Sequence, residues 1–120
     1  MARGKYQTLT EQMFYILLCL RQECCGVDIM EQIKTLTAGR VVVGPGTLYS
    51  LLENFVKEGF IRQTKEENRR RSYIITRLGA ALLEEEYRRL GLLRADYQSV
   101  LSAERSGDDE KEMEIRELHH

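Results

Sequence analysis

Two short stretches of the chain carry the side chains best suited to contact nucleic acid. Arg69, Arg70 and Arg71 are consecutive, and guanidinium groups bind phosphate oxygens through paired hydrogen bonds. Residues 47–57 carry hydroxyl, amide and amine groups, which hydrogen-bond to base edges and to the DNA backbone. We predict DNA contacts from both stretches, and the candidate residues are Thr47, Tyr49, Ser50, Asn54, Lys57, Arg69, Arg70 and Arg71.

Neither stretch is specific by itself. An amphipathic helix also presents a polar face to solvent without binding anything, and a charged loop is usually just solvated. Glu53 in the first stretch and Glu66 and Glu67 beside the second would repel phosphate groups. The position of the two stretches within one fold must therefore decide between DNA binding and a solvated surface.

The net charge of −1 hides an uneven distribution of charge along the chain. Residues 1–102 hold 15 basic and 12 acidic side chains, whereas residues 103–120 hold 3 basic and 7 acidic ones. The basic excess is concentrated around the three arginines. Because charges on a protein surface act over only about 8–10 Å at ordinary salt, this cluster matters more for a polyanionic partner than the total charge.

The spacing of the apolar residues predicts three helices before the arginine run. The first covers about 9–22, where Thr8 and Glu11 have the spacing of a capping box. The second covers about 26–37. The third starts at Gly44-Pro45-Gly46, since proline is favoured in the first turn of a helix, and Gly59 ends it in the usual position after the last turn.

A β-hairpin is predicted after the third helix, with strands at Phe60–Lys65 and Ser72–Thr76 and a charged tip at residues 66–71. The run Val41–Val43 is suited either to a small edge strand or to an extended link. Three helices followed by a hairpin form the winged helix-turn-helix, whose third helix enters the major groove. The predicted fold class is therefore mainly α with a small β-hairpin, extended by a long C-terminal helix.

That last helix is predicted from about 77 to 102, with Thr76 as its cap. At about 1.5 Å per residue it is near 40 Å long, which is too long for so small a body to cover. We therefore predict that it forms a homodimer with a second copy, although a bend at Gly91 would let it fold back instead. The seam residues that we expect in the dimer interface, without a partner in their own chain, follow heptad-like spacing: Leu83, Tyr87, Leu90, Tyr97 and Leu101.

The predicted organisation of the chain has three parts. Residues 1–76 form the winged-helix DNA-binding domain, and residues 77–104 form the dimerisation helix. Residues 105–120 are acidic and poor in apolar side chains, so we expect a flexible tail there.

A series of motifs, in their order along the chain, resembles the PadR family of bacterial regulators. The resemblance covers roughly residues 8–95, and its most specific part is the string that begins at Gly44. The matching stretches are Leu9-Thr10-Glu11, Gly26-x-Asp28-Ile29, Gly44-Pro45-Gly46-Thr47-Leu48-Tyr49, Leu51-Leu52, Glu58-Gly59-Phe60-Ile61, Arg69-Arg70-Arg71-Ser72-Tyr73 and Ile75-Thr76 with Gly79.

The resemblance implies a dimeric winged-helix repressor whose single C-terminal helix builds the dimer, as in the compact subgroup of that family. Two departures stand out. Cys25-Gly26-Val27 occupies the place where many members have His-Gly-Tyr, and the chain has no Trp, whereas a drug-binding member holds flat ligands between tryptophans. Both departures argue against the sensing of flat aromatic ligands, and the effector stays unidentified.

The sequence contains no recognisable catalytic constellation. Its two histidines, His119 and His120, are terminal, and it has no glycine-rich phosphate loop, so we expect neither enzymatic activity nor a cofactor. Cys19, Cys24 and Cys25 lack CxxC spacing, which favours reduced thiols in a cytoplasmic protein and leaves a redox role of the last two open. No apolar run approaches the roughly 20 residues that span a bilayer, so we expect no membrane partner.

These features predict a sequence-specific DNA-binding transcriptional regulator, a repressor that acts as a homodimer on a palindromic operator. Its expected partners are double-stranded DNA and a second copy of the chain, with a small-molecule effector of unknown identity left open. The alternative is a winged-helix module that binds proteins and not DNA, because fold alone does not determine function. The arginine run favours DNA binding, since a protein-binding module has no need of it.

Overall fold

The computed structural model describes residues 8–118, and their order of elements is that of a winged helix-turn-helix. This confirms the predicted fold class. None of the helices in these residues has the apolar length that a membrane crossing requires. The elements are α1 (Glu11–Cys19), β1 (Cys24–Cys25), α2 (Gly26–Leu36), α3 (Pro45–Lys57), β2 (Ile61–Glu67), β3 (Arg70–Ile75) and α4 (Arg77–Leu118).

The chain divides into two compact units, one ending at Glu86 and the other beginning at Tyr87. The core of the first unit is formed by the apolar faces of α1, α2 and α3, whose buried residues recur at helical spacing. Phe55 of α3 packs edge-to-face on Phe60, with ring centroids 6.2 Å apart. The fully buried apolar side chains of this core are Ile16, Leu17, Leu20, Ile29, Ile33, Leu48, Leu52, Phe55 and Ile61.

Helix α1 begins one residue after Thr10, whose hydroxyl accepts a hydrogen bond from the Met13 amide at 3.2 Å. The capping box predicted from Thr8 and Glu11 is therefore wrong. Thr10 has the extended backbone of an N-cap, with ψ of 163°, whereas the capping-box spacing to Glu11 fits Thr8.

Helix α3 begins and ends as the sequence predicts. Gly44 is its N-cap and Pro45 its first residue. Gly59, with φ of 81°, follows the last turn. A left-handed φ is the reason for glycine at this C′ position, because an L side chain is strained there.

The run Val41–Val43 is an extended link and not a strand. Its outer two side chains are buried, and the amide of Val41 donates to the Thr37 hydroxyl at 3.0 Å. The edge strand is formed instead by Cys24 and Cys25, which pair with Tyr73 and Ser72 of β3. Two cysteines before a glycine carry no strand pattern, so this short strand was not predicted.

Strands β1, β3 and β2 form an antiparallel sheet in that order. We call β2, β3 and their turn the wing. Its turn has only two residues, Asn68 and Arg69, with φ of 51° and 66°, as a tight type I′ hairpin turn requires. The predicted six-residue tip is therefore wrong, because cross-strand pairing of Glu66 with Arg71 and of Glu67 with Arg70 extends both strands.

Helix α4 begins after Thr76, whose hydroxyl accepts from the Gly79 amide at 3.1 Å and donates to the Gly59 carbonyl at 2.6 Å. The predicted cap is confirmed. The helix continues to Leu118, beyond the helix end predicted near residue 102 and the segment boundary predicted at 104. Apart from Gly107, the residues of this extension are mostly good helix formers such as Glu, Lys and Arg. The flexibility of the tail stays a prediction, and its last two residues, 119 and 120, lie outside the described part of the chain.

Candidate nucleic-acid interface

The polar face of α3 is directed away from the core. Thr47, Ser50 and Lys57 are exposed and Asn54 is half-buried, while the apolar side of the same helix packs inward. The structure therefore places these four side chains on the solvent side of the third helix, as the sequence predicts. Because the apolar side of α3 is fixed in the core, its short polar side chains face solvent, where a partner can approach them closely.

Tyr49 lies at the border of the two faces, with 46% of its surface exposed. Together with the wing it lines a cleft of about 490 Å³, which we call the arginine cleft. Arg69, Arg70 and Arg71 all line it, and Tyr73 of β3 lies at its wall. The structure thus brings together four of the eight predicted DNA-binding residues. The other four, on the polar face of α3, are not part of this cleft.

The arginines differ in their surroundings, although all three are exposed. Arg69 stands at the turn of the wing. The Nε atom of Arg71 lies 3.6 Å from a carboxylate oxygen of Glu66 on the opposite strand. Farther along β2, Lys65 is 3.9 Å from Glu23. Part of the positive charge of the wing is thus met by acidic side chains of the same protein, and these exposed pairs are weak.

All three cysteines are free thiols. Burial raises the pKa of the Cys24 thiol to about 11, and the carboxylate of Asp28 adds to the shift. The thiol is therefore protonated at neutral pH and a poor nucleophile. Within the described residues no cluster of three or more His, Cys, Asp or Glu side chains could hold a metal ion.

The seam residues of α4 fall into two groups. Leu83 is only 5% exposed and packs in the core of the first unit, so the prediction that it lacks a partner within its own chain is wrong. Tyr87, Leu90 and Tyr97 are 65%, 41% and 69% exposed, and Leu101 is half-buried. Among the side chains of this helix that the structure describes, four further exposed apolar ones were not in the predicted seam, namely Leu78, Leu92, Leu93 and Val100.

Comparison with known proteins identifies a family whose model matches this chain. The profile of a family described as the transcriptional regulator PadR-like family matches residues 16–85, which is more than half of the chain. The matched range contains α2, α3 and the wing, and so all of the arginine cleft. No protein with a curated description matches the sequence.

Several solved structures are similar to this one. A transcriptional regulator from Clostridium thermocellum, Cth-833, is 23% identical with a TM-score of 0.64 over 74% of this chain and 90% of that one. RosR of H. salinarum is 20% identical with a TM-score of 0.56 over 78% and 97%. Bacillus subtilis PadR, solved in complex with operator DNA, is 26% identical with a TM-score of 0.54 over 62% and 45%. The first two likenesses concern the fold.

Proposed function

Because this chain belongs to the PadR-like family of transcriptional regulators, we propose that it binds double-stranded DNA in a sequence-specific manner and acts as a repressor. The observation that carries the proposal is the arginine cleft, where a residue of α3 and three arginines of the wing line one surface. The family of this chain is one of transcriptional regulators and not of enzymes. The arginine cleft also favours DNA over a protein partner, because a row of guanidinium groups matches a row of phosphates.

Each part of the interface has a distinct role in this proposal. Helix α3 enters the major groove, where Ser50 and Asn54 approach base edges and Thr47 and Lys57 bind the backbone. The wing lies along the flanking backbone, where its arginines bind phosphates or enter the minor groove. Tyr49 lies between α3 and the wing, and its hydroxyl donates a hydrogen bond to a phosphate oxygen. The complex of B. subtilis PadR with operator DNA supports a DNA-binding role for the shared part of the fold.

We further propose that the protein acts as a homodimer through α4. Tyr87, Leu90 and Tyr97 are exposed, and their spacing puts them on one face of the helix. Large apolar side chains grouped in this way on a surface mark interaction sites. Burying each such side chain fully against a second copy contributes about 1.5–3 kcal/mol before the cost of association.

A two-fold dimer accounts for the form of the proposed operator. Its two copies of α3 would read half-sites one helical turn apart, about 34–36 Å, and so a palindromic sequence. A dimer bound there would exclude polymerase from an overlapping promoter, which is the proposed mode of repression. An effector would act by changing the separation of the two reading helices.

The direct test is selection of duplexes from random-sequence DNA by the full chain, followed by fluorescence-anisotropy titration. We expect a palindromic consensus bound at least about 10³-fold more tightly than unrelated DNA at physiological salt. A reporter gene behind the selected duplex should be repressed when the protein is expressed. Absence of binding to any duplex would overturn the proposal and favour the protein-binding winged-helix module.

A further inference from the structure

The Tyr49 ring occupies the space where a side chain at residue 26 would stand. A Cβ atom built on Gly26 would lie 2.6 Å from the Tyr49 hydroxyl oxygen, and 2.8 and 2.9 Å from the ring atoms Cε1 and Cζ. Cβ atoms in proteins do not approach other heavy atoms this closely. The tyrosine can take this position only because residue 26 has no side chain.

The glycine is not required by the backbone at this position. Gly26 is the first residue of α2, and its φ is not in the left-handed region that Gly39 and Gly59 occupy. Gly44 and Gly46, at the start of α3, have open space where a Cβ would stand. Among the glycines near the proposed interface, Gly26 alone is required by contact with a proposed DNA-binding side chain.

The tyrosine held in this way faces the arginines. Gly26, Tyr49 and the three arginines of the wing line the same cleft. Among the described residues the Tyr49 hydroxyl has no hydrogen-bond partner, so it is available to donate to an incoming ligand. A phosphate in the arginine cleft would meet this hydroxyl together with the guanidinium groups.

We propose that Gly26 is a positioning residue for DNA binding, which holds the Tyr49 hydroxyl in the arginine cleft where it donates to a backbone phosphate. The proposal rests on the function proposed above. It assigns a role to a residue that touches no DNA itself and acts through its contact with Tyr49. An alanine at 26 would push the flexible end of the tyrosine out of place and leave both backbones where they are.

The test is a double-mutant cycle measured by DNA titration of the full chain on its selected duplex. Tyr49→Ala and Gly26→Ala should each weaken binding by about tenfold, the loss expected for a hydrogen bond to a charged group. In the Tyr49→Ala background the glycine substitution meets no ring, so the double variant should bind as Tyr49→Ala does. Gly107→Ala, where the added Cβ meets nothing, is the matched control and should bind like the wild type.

Two further readouts separate positioning from damage to the fold. The hydroxyl is neutral, so Gly26→Ala should leave the slope of log K against log salt unchanged, whereas a displaced wing would flatten it. The Tm of the Gly26→Ala variant should stay near that of the wild type. A loss of the same size in both backgrounds, or wild-type affinity of either single variant, would overturn this proposal alone. Failure of the wild type to bind any DNA would overturn the proposed function, and this inference with it.

Discussion

At the scale of single residues, Ser50 and Asn54 are the candidates for base recognition. They lie four positions apart on α3 and so share one face of the helix. We predict that replacing either by Ala costs about 1–3 kcal/mol on the selected operator and little on random DNA. Paired titrations on both duplexes measure this, and equal losses on the two would make these residues backbone contacts.

Leu83 gives a second prediction at this scale, because its side chain is buried in the core of the first unit. Leu83→Ala should lower the free energy of unfolding by about 2–5 kcal/mol, because it removes buried methyl groups and leaves a cavity. Urea denaturation followed by circular dichroism measures this loss. Leu92→Ala is the matched control, because Leu92 is 67% exposed, and it should be close to neutral for the fold. A variant of Leu83 with wild-type stability would show that the residue is not held in the core.

At the scale of elements, the wing depends on its short turn. Since Asn68 and Arg69 alone form the turn, Arg70 and Arg71 lie on a regular strand, opposite Glu67 and Glu66. The side chains of successive strand residues point to opposite faces. The two arginines therefore leave their strand on opposite faces, although both side chains line the arginine cleft. A phosphate that binds Arg71 must compete with Glu66.

We predict that replacing Arg69, Arg70 and Arg71 together by Ala weakens binding to all DNA sequences alike. The slope of log K against log salt should fall by about 0.9 for each phosphate that the variant no longer neutralises. Arg21→Ala, which removes a positive charge outside the arginine cleft, is the control. Glu66→Gln should have the opposite effect and raise affinity by up to about fivefold, because it releases Arg71. A triple variant with wild-type affinity at every salt concentration would show that the wing does not contact DNA.

Much of this arrangement could be predicted from local sequence. Apolar spacing, Pro45 and Gly59 placed α3 correctly, and the hydroxyl of Thr76 marked the start of α4. What could not be predicted depends on contacts distant in the sequence. The strand of Cys24 and Cys25 exists because β3 offers it a partner.

The proposed site was predictable to the same extent. Helical periodicity alone puts the polar residues of α3 on one face. The contact between Gly26 of α2 and Tyr49 of α3 could not be predicted from the residue spacing within either helix. In the same way, Leu83 is buried by core residues that lie mostly outside α4, so the spacing within its own helix could not predict this burial.

At the scale of the whole molecule, the proposed dimer makes a direct prediction. Leu90→Glu combined with Tyr97→Glu should convert a dimer into a monomer of 14.0 kDa, because two charges would be buried in an apolar interface. Sedimentation at micromolar concentration measures the mass. The variant should retain weak binding to a half-site and lose its preference for a full palindrome.

The control for the dimer is a charge of the same kind on the other side of the helix. Ala95 lies about 200° around α4 from Tyr97 at 100° per residue, and it is exposed, so Ala95→Glu should leave the dimer intact. A wild-type protein that sediments as a monomer at these concentrations would contradict both the dimer and the palindromic operator.

The pairing of β1 with β3 also bears on the rate at which the first unit folds. Cys24 and Tyr73 pair with each other, but α2, α3 and β2 lie between them in the sequence. The hydrogen bonds between β1 and β3 can therefore form only after the intervening chain has collapsed. The β2–β3 hairpin is local and can form in about 1–10 μs, whereas non-local pairing must first overcome the entropy of closing a long loop. We therefore expect β1 to join the sheet after the transition state for folding. Destabilising substitutions in β1 should then accelerate unfolding and leave the refolding rate nearly unchanged.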